Sequence, residues 1–400
     1  MKICDMVQAY ARNSGGVKTY LDEKRRFVLD HTDHEHVLIV PGAVDRVVEE
    51  GRAVTYEITS PMVRGAGAYR FIGRVDKLLR ILGRESPDVV EVGDPYLMPW
   101  VARYHRWRRG VPVVGFYHTD FPRAYGRRYV ERVAGETLGR ASEWIGDVYA
   151  RTVYRDCAAV VASSAELHEA LTRVGVRENL HHIPLGVDLD GFHPRHRDRS
   201  VWEQHGVARD SVILVYAGRL DTEKHVDRLV ETFRDAGLPE QVSLVCIGEG
   251  PLRTWIESLA HEDSRIRVIP YVSDRARLGR LLASADLYVT AGPHETFALS
   301  VIEAQASGLG VVGVAAGALV DRVTPQTGVL AAPDDPADFA RALREGLRRD
   351  RNRLGREARR VVEQQFSWGV TFERLLELYR HVGASDTRPA TLGGDAQCVP

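Results

Sequence analysis

Two acidic residues, Glu295 and Glu303, enclose an almost wholly apolar run in the segment HETFALSVIEA. An acid just before a predicted helix and a second acid about two turns into it can border one ligand from two sides. Carboxylate oxygens accept hydrogen bonds, and the vicinal hydroxyls of a ribose or a hexose donate them in pairs. The spacing therefore predicts a sugar site, although a helix-capping acid followed by an ordinary amphipathic-helix acid would show the same pattern.

The helix between these acids is predicted to begin within residues 296–298. The first N–H groups of a helix have no intrahelical partner, and the helix dipole favours an anion beside them. A phosphate or a sugar hydroxyl would suit this position. The candidate ligand-binding residues are Thr296, Phe297, Ala298 and Leu299.

Two cations follow a predicted core strand in the segment VYAGRLDTEKHVDRL. The strand is predicted to end at Gly218, and Arg219 and Lys224 project from the turn and the helix start beyond it. Arg offers a planar fork of donors and Lys a compact positive charge, a combination that suits a diphosphate. The alternative is a pair of solvated surface charges, which seldom stands directly after a core strand.

Two further candidates follow strands nearer the N-terminus. Gly15 and Gly16 allow a tight turn before a helix that is predicted to begin near Val17. Amides at that helix start could face an anion, although a Gly-Gly pair also serves as a simple turn. His118 ends the predicted strand VPVVGFYH, where a cleft between domains would open, and has either a catalytic or a structural role.

Short runs rich in Val and Ile alternate with helical patterns, which is typical of an α/β fold with parallel sheets. Ligands bind beyond the carboxyl ends of such strands, where the candidates above lie. Two comparable sets of strands in 400 residues predict two Rossmann-like domains that face a central cleft. The predicted strands are MKICDMV, HVLIV, VTYEI, DVVEV, VPVVGFYH and AAVVASS, then SVILVYAG, VSLVCIG, IRVIPYV, ADLYVTAG, LGVVGVA and GVLAA.

The predicted domain boundary follows the segment IPLGVDLDGFHP, where turn residues cluster. We expect an N-terminal domain over 1–190 and a C-terminal domain over 195–365. The helical pattern at 368–382 comes after a full set of second-domain elements and is expected to pack back on the first domain. The small, polar tail 383–400 is predicted to be disordered.

Composition narrows the class of protein. The chain has 54 Lys and Arg residues against 55 Asp and Glu residues, which argues against a nucleic-acid partner. Its cysteines form no C-x-x-C pair and fit thiols in a reducing cytoplasm. No run approaches the ~20 apolar residues of a spanning helix. We therefore expect a cytoplasmic protein, free or peripheral on the inner face of the membrane; the cysteines are Cys4, Cys157, Cys246 and Cys398.

Taken together, these motifs resemble the retaining nucleotide-sugar glycosyltransferases of family 4, which have the GT-B fold. The resemblance extends from Met1 to about Val382 and rests on SGGV, GRLDTEK, IGEGP and HETFALSVIEAQASGLGVV. IPLGVDLDGFHP and FSWGVTFERLLELY resemble the family's inter-domain segment and its returning helix. The E-x7-E spacing with an upstream Arg and Lys is the specific part, and Gly310 departs from the proline that is common in the family.

The resemblance implies roles for the candidate residues. Arg219 and Lys224 would bind the donor diphosphate, Glu295 the donor sugar and Glu303 the ribose. His118 would lie near the reacting sugar, and the GEGP and YVSD segments near the base. The implied catalytic set is His118, Arg219, Lys224 and Glu295. The implied donor-binding set is Gly15, Gly16, Gly218, Gly248, Val272, Thr296, Phe297, Ala298, Leu299 and Glu303.

The implied reaction moves a hexose from a nucleotide-diphosphate sugar to a hydroxyl of a lipid or cell-envelope glycan. The N-terminal domain would hold the acceptor and the C-terminal domain the donor, with GDP-mannose preferred to UDP-glucose. No metal and no cofactor beyond this co-substrate is expected, because the two cations would take the part of a divalent ion. The alternatives are a GT-B-fold epimerase, a phosphorylase and a non-catalytic sugar-nucleotide binder.

The acceptor is suggested by a cluster of eight arginines, interleaved with Tyr and Trp, between Ala102 and Val133. A basic, aromatic surface suits an anionic membrane and a lipid acceptor. A solvated helix face rich in arginine is the alternative.

Overall fold

The first β-sheet is built from the N-terminal half of the chain. The protein's structure, a computed structural model, describes residues 1–10, 16–63, 69–123 and 128–385. The strands of the first sheet lie in the order β3-β4-β2-β1-β5-β6-β7-β8. They are β1 (Lys2–Met6), β2 (Glu35–Gly42), β3 (Arg46–Glu50), β4 (Ala53–Thr59), β5 (Val89–Val92), β6 (Val113–Tyr117), β7 (Ala159–Ala162) and β8 (Leu180–His182).

Helices connect most of these strands. They are α1 (Gly16–His31), α2 (Val75–Glu85), α3 (Met98–Arg109), α4 (Arg128–Ala134), α5 (Glu136–Tyr154) and α6 (Ala165–Arg173). Every residue of β6 is buried, as expected for a strand that helices cover on both faces. Each predicted run of this half contains a strand.

Two strands of the first sheet were not predicted. β3 pairs antiparallel with β4 at one edge, and four of its five residues are exposed. β8 is a three-residue edge strand, LHH, without a buried residue. Edge strands bury little, so they lack the apolar pattern that marks the central strands. Because β3 runs antiparallel to β4, the first sheet is mixed, whereas the sequence predicted a parallel one.

The second sheet is fully parallel, with the strand order β11-β10-β9-β12-β13-β14, and all six of its strands were predicted. Its strands are β9 (Val212–Ala217), β10 (Val242–Ile247), β11 (Ile266–Ile269), β12 (Leu287–Val289), β13 (Gly310–Val314) and β14 (Gly328–Ala331). Its helices are α7 (Val226–Asp235), α8 (Arg253–Glu262), α9 (Arg275–Ala283), α10 (Leu299–Ala306), α11 (Leu319–Arg322), α12 (Pro336–Arg348) and α13 (Arg351–Gln365).

The chain passes between the two sheets twice, and the two passages contact each other. Val187 N–H donates to Phe366 C=O at 2.9 Å, and Val187 forms a parallel bridge with Ser367. Gly186 is packed so closely that a Cβ there would lie 2.3 Å from Trp368 N. These contacts form a narrow joint at which the two domains are connected.

The last helix, α14 (Trp368–Ser385), packs on α1 of the first domain. Phe372 lies 5.4 Å from Phe27 between ring centroids and stacks on Trp368 at 5.1 Å. The predicted returning helix is therefore present, but it runs to Ser385, so the predicted start of the tail at 383 is wrong. The helix continues through Gly383, although glycine is a poor helix former, so composition alone misplaced its end. The rest of the predicted tail, with Cys398, lies outside the described residues.

Candidate active site

The candidate active site lies where loops leave the carboxyl ends of β9 and β12, which are neighbours in the second sheet. Lys224 Nζ is 2.8 Å from Glu295 Oε1, and both side chains are mostly buried, with exposed fractions of 19% and 14%. Lys224 closes a 3₁₀ turn (Thr222–Lys224), and α7 begins two residues later, so the lysine is not at the helix start that the sequence predicted. The Asp221 carboxylate accepts from Lys224 N–H and fixes this turn.

Arg219 extends from the same loop but is half exposed. Its guanidinium contacts Asp221 Oδ2 at 2.7 Å and Glu223 Oε2 at 2.6 Å. Burial lowers the pKa of Arg219, but the hydrogen bond to Glu223 and the charges of both acids outweigh this and raise it. The guanidinium is thus held as a cation in the loop that also carries Lys224.

Two glycines, Gly218 and Gly248, allow the loop after β9 to approach the loop after β10. A Cβ at Gly248, whose φ is +155°, would lie 1.9 Å from the carbonyl oxygen of Gly218. Gly218 N–H in turn donates to Ile247 C=O at 3.0 Å. Only glycine permits this distance, so both predicted residues serve to bring the loops after β9 and β10 together.

Helix α10 begins at Leu299, later than the predicted start within 296–298. Ala298 has a left-handed backbone, with φ 62° and ψ 50°, which ends the preceding loop and delays the helix. A hydrogen bond from another loop anchors the segment before α10: Ala318 N–H donates to Glu295 C=O at 2.7 Å. Within the described chain, the N–H groups of Phe297, Ala298 and Leu299 have no hydrogen-bond acceptor. These unpaired donors are what the sequence analysis predicted at this helix start, and their binding of an anion or a hydroxyl stays a prediction.

Glu303 lies one turn into α10 with only 5% of its side chain exposed, and Arg275 Nη2 contacts its Oε1 at 2.5 Å. Arg275 begins α9 and was not among the predicted site residues. Its signal would have been a positive charge directly after the YVSD segment, which the sequence analysis assigned to the base. Val272 of that segment is buried, whereas Tyr271 is about half exposed.

The start of α1, in the first domain, lies next to the start of α10. A Cβ at Gly16 would lie 4.0 Å from Leu299 Cδ2, so the helix starts of α1 and α10 face each other. Gly15 lies outside the described residues. The two helix N-termini predicted to hold anions therefore border the same space between the domains.

His118 follows β6 in the first domain, and its Nε2 is buried without a hydrogen-bond partner among the described residues. Its ring stacks on Phe116 at 4.2 Å and lies edge-on to Tyr20 at 5.5 Å. Burial, reinforced by the charge of Lys24, lowers the pKa of His118 to about 3. The imidazole is therefore neutral at physiological pH.

A buried charged cluster lies behind His118 and escaped the sequence analysis. Lys24 Nζ contacts Asp5 Oδ1 at 2.6 Å, Glu91 Oε2 at 3.2 Å and Tyr379 OH at 2.7 Å. Tyr379 OH also donates to Glu91. The cluster joins α14 to the first sheet, and its members come from parts of the chain that are remote in sequence.

A second acid at a strand end was also missed. Asp94 follows β5 and accepts from Gln8 N–H at 2.5 Å and Tyr96 N–H at 3.2 Å. Burial raises its pKa to about 7. The segment VEVGDPY contains this signal, an acid directly after a strand.

Two family models match the chain. The one described as Glycosyltransferase Family 4 matches residues 14–190, and the one described as Glycosyl transferases group 1 matches residues 211–349. A GDP-mannose-dependent alpha-(1-6)-phosphatidylinositol dimannoside mannosyltransferase of Mycobacterium tuberculosis H37Ra is 33% identical over 92% of this chain and 93% of that protein. The chain belongs to the glycosyltransferases of family 4. The predicted family is thereby confirmed.

Further relatives of this glycosyltransferase agree with the assignment. A GDP-mannose-dependent alpha-mannosyltransferase of Corynebacterium glutamicum is 28% identical over 86% of this chain and 79% of that protein. A sucrose-phosphate synthase from Thermosynechococcus elongatus, 22% identical, superposes with a TM-score of 0.77 over 96% of this chain and 100% of that one. These similarities confirm the GT-B fold and favour a glycosyltransferase over an epimerase.

Two negative findings concern the described part of this glycosyltransferase. No group of three or more His, Cys, Asp or Glu side chains there could hold a metal ion. No helix there is both long enough and apolar enough to cross a bilayer. Cys4, Cys157 and Cys246 are buried free thiols.

Proposed function

We propose that this glycosyltransferase moves mannose from GDP-mannose, with retention at the anomeric carbon and without a metal ion, to a hydroxyl of a phosphatidylinositol-type glycolipid. The observation that carries the proposal is the contact of Lys224 with Glu295, in the loop that leads to the N–H groups at the start of α10, which have no acceptor among the described residues. The choice of donor and acceptor follows the printed activities of the relatives. UDP-glucose remains the second donor.

The proposed chemistry breaks the bond between the mannose C1 and the diphosphate and forms one between C1 and the acceptor oxygen. Negative charge grows on the leaving diphosphate as the first bond breaks. Arg219, Lys224 and the amides of α10 would meet this charge, and such preorganised donors typically contribute several kcal/mol, about 3 kcal/mol for one group. The acceptor proton would pass to the leaving phosphate on the same face.

The sugar and the acceptor would be held by the remaining groups. Glu295, released from Lys224 by the phosphate, would accept from the mannose hydroxyls, and Glu303 from the ribose. His118, which is neutral, would lie near the reacting sugar. Closing of the two domains would exclude water from the cleft.

The proposed membrane contact rests on helices α3 and α5 of the first domain, which touch where Trp100 Nε1 donates to Tyr149 OH at 3.1 Å. On α3, Tyr104 and Trp107 are exposed near Arg108 and Arg109. On α5, one helix face exposes four apolar side chains that the sequence analysis missed. Aromatic and apolar side chains beside arginines suit an anionic bilayer. The residues of this α3–α5 surface are Tyr104, Trp107, Arg108, Arg109, Leu138, Trp144, Ile145 and Val148.

Not all of the predicted arginine cluster contributes to this surface. Arg123 is held by Asp120 and Glu143, each at 2.8 Å. Arg127 lies outside the described residues.

The donor is tested by calorimetric titration of the wild type with GDP, UDP and ADP, followed by transfer assays with GDP-mannose and UDP-glucose. We expect GDP to bind at least about tenfold more tightly than UDP, a difference of about 1.4 kcal/mol. We also expect mannose transfer to continue in EDTA and the product to keep the α configuration in its NMR couplings. Preferred binding of UDP, or an inverted product, would contradict the proposal.

The membrane contact is tested by co-sedimentation with vesicles of phosphatidylcholine alone or mixed with phosphatidylinositol. The double variant Trp144→Ser/Ile145→Ser should lose at least about tenfold in binding to the mixed vesicles, because two exposed apolar side chains no longer enter the bilayer. Val47→Ser, which changes an exposed valine on β3, is the matched control and should bind as the wild type does. Equal binding by all three proteins would refute the membrane surface.

A further inference from the structure

Arg322 is a buried arginine at the end of α11, with only 5% of the residue exposed. Its guanidinium carbon lies over two aromatic rings, 4.6 Å from the centroid of Phe297 and 4.4 Å from the centroid of Phe366. The two ring centroids are 6.2 Å apart. Its Nε and Nη2 are buried and have no hydrogen-bond partner among the described residues. The contacts that the structure gives this guanidinium are therefore with ring faces.

The two rings belong to different parts of the molecule. Phe297 lies in the segment before α10, where the N–H groups at the helix start have no acceptor among the described residues. Phe366 lies at the joint between the domains, where its C=O accepts from Val187 N–H at 2.9 Å. Both rings are buried. Arg322 therefore connects the segment that would bind the donor to the joint between the domains.

The backbone that carries Arg322 is itself fixed to α10 and to the segment before it. Gln305 Nε2 on α10 donates to Arg322 C=O at 2.7 Å. Gly317, whose φ is +56°, packs so closely that a Cβ there would lie 2.7 Å from Glu295 O. The guanidinium thus extends from a backbone that is held at two points, so its position relative to Phe297 is defined.

Packing alone does not explain a cation at this position. Burial lowers the pKa of Arg322 to about 10, against the opposing charge of Asp321, so the guanidinium is still charged at neutral pH. A buried charge without an acid or a hydrogen-bond partner is costly, and a methionine would fill the space between the rings without that cost. A guanidinium differs because its charge and its flat faces are attracted to aromatic faces, which fixes the position of the rings.

We propose that Arg322 is a positioning residue of the donor site. By holding the ring of Phe297 beside that of Phe366, it fixes the segment before α10 in the conformation in which its N–H groups can donate to the diphosphate or the sugar. Arg322 itself would not touch the donor. This inference rests on the proposed function, because it takes the N–H groups of this segment as donor-binding groups.

The positioning role is tested with a double-mutant cycle on the affinity for GDP. GDP is titrated by calorimetry into the wild type, Arg322→Met, Phe366→Leu and the double variant. We expect each single variant to bind GDP about 3- to 10-fold more weakly and the double variant no more weakly than the weaker single one, because both changes break the same contact. The kcat/KM of mannose transfer should fall by at least the same factor, since these N–H groups also meet the growing charge.

Stability separates positioning from a purely structural role. Arg322→Met should keep the urea midpoint of the wild type or raise it, because a buried charge is removed. Arg265→Met is the matched control, since it removes another guanidinium that lies over a phenylalanine ring, 5.2 Å from the centroid of Phe233. It also breaks the pair with Asp263, so it should lower the urea midpoint and leave the affinity for GDP unchanged.

The remaining outcomes distinguish the two proposals. Wild-type affinity of Arg322→Met for GDP, or losses that add up in the double variant, would overturn the positioning role alone. A wild type that binds UDP in place of GDP would contradict the proposed donor, and the same cycle with UDP would still decide the role of Arg322. A wild type that binds neither nucleotide would overturn both proposals.

Discussion

Lys224 and Glu295 are 71 residues apart in the chain, yet Nζ of the lysine lies 2.8 Å from Oε1 of the glutamate. The pair joins the loops after β9 and β12, two strands that are adjacent in the sheet. A cation next to an acid suits a substrate that has one negatively charged part and one hydroxylated part. The diphosphate would take the lysine, and the sugar the glutamate.

Lys224→Met should therefore lower kcat/KM by about 10²- to 10³-fold, because it removes one fixed cation from the leaving group. Most of the loss should fall on kcat, since the charge on the diphosphate is larger in the transition state than in the bound donor. Steady-state kinetics with GDP-mannose measures both constants. Lys77→Met, which breaks a pair with Asp45 far from the site, is the control and should leave them unchanged. A pure KM effect of Lys224→Met would argue against this role.

Tyr379→Phe should weaken the attachment of α14 to the first domain. The hydroxyl accepts from Lys24 at 2.7 Å and donates to Glu91, so its loss leaves buried polar groups with fewer partners. We expect the free energy of unfolding to fall by about 1–3 kcal/mol in urea titrations. Tyr104→Phe, at an exposed position on α3, should cost nothing measurable. If both variants have the urea midpoint of the wild type, the charged cluster behind His118 does not stabilise the packing of α14 on the first domain.

Asp94 should make stability depend on pH. Burial raises its pKa to about 7, above the value of about 3.9 in an unfolded chain. The native state thus binds the proton more tightly, so this contribution is complete below about pH 4 and is lost as the pH rises through about 7.

Asp94→Asn removes that dependence, because the amide does not titrate. The free energy of unfolding of the wild type minus that of the variant should fall by on the order of 2–4 kcal/mol between pH 4 and pH 8. Taking the difference cancels the contribution of the buried histidines to the pH dependence, because they titrate in both proteins. Asp210→Asn, at an exposed position, should show a flat difference. A flat difference for Asp94→Asn as well would mean that the carboxyl ionises freely.

Gly186→Ala should disturb the joint between the domains. Its Cβ would meet Trp368 N at 2.3 Å, and neither backbone segment can move without breaking the contact between Val187 and Phe366. Overpacking of this kind costs about 1–3 kcal/mol. A lower thermal midpoint together with slower transfer is the expected result. Gly73→Ala, where no atom lies within 4 Å of the new Cβ, is the control and should behave as the wild type does.

Local pattern was sufficient for much of the fold and part of the site. Runs such as SVILVYAG and VSLVCIG became β9 and β10, since a strand that is covered on both faces needs apolar residues throughout. Arg219, Lys224 and Glu295 were predicted because ligand-binding residues follow such strands directly. The start of α10 was misplaced, since the left-handed turn at Ala298 depends on the contact of the loop with Ala318.

By itself the sequence determined the central strands of both sheets and several of the charged side chains at their ends, because both depend on neighbours along the chain. Only the tertiary structure decided which of these side chains meet. The strand order places β12 beside β9 and thereby pairs Glu295 with Lys224, and the packing of α9 on α10 brings Arg275 to Glu303. The return of α14 places Tyr379 in the charged cluster behind His118. Strand order and helix packing arise from long-range contacts, which no local periodicity encodes.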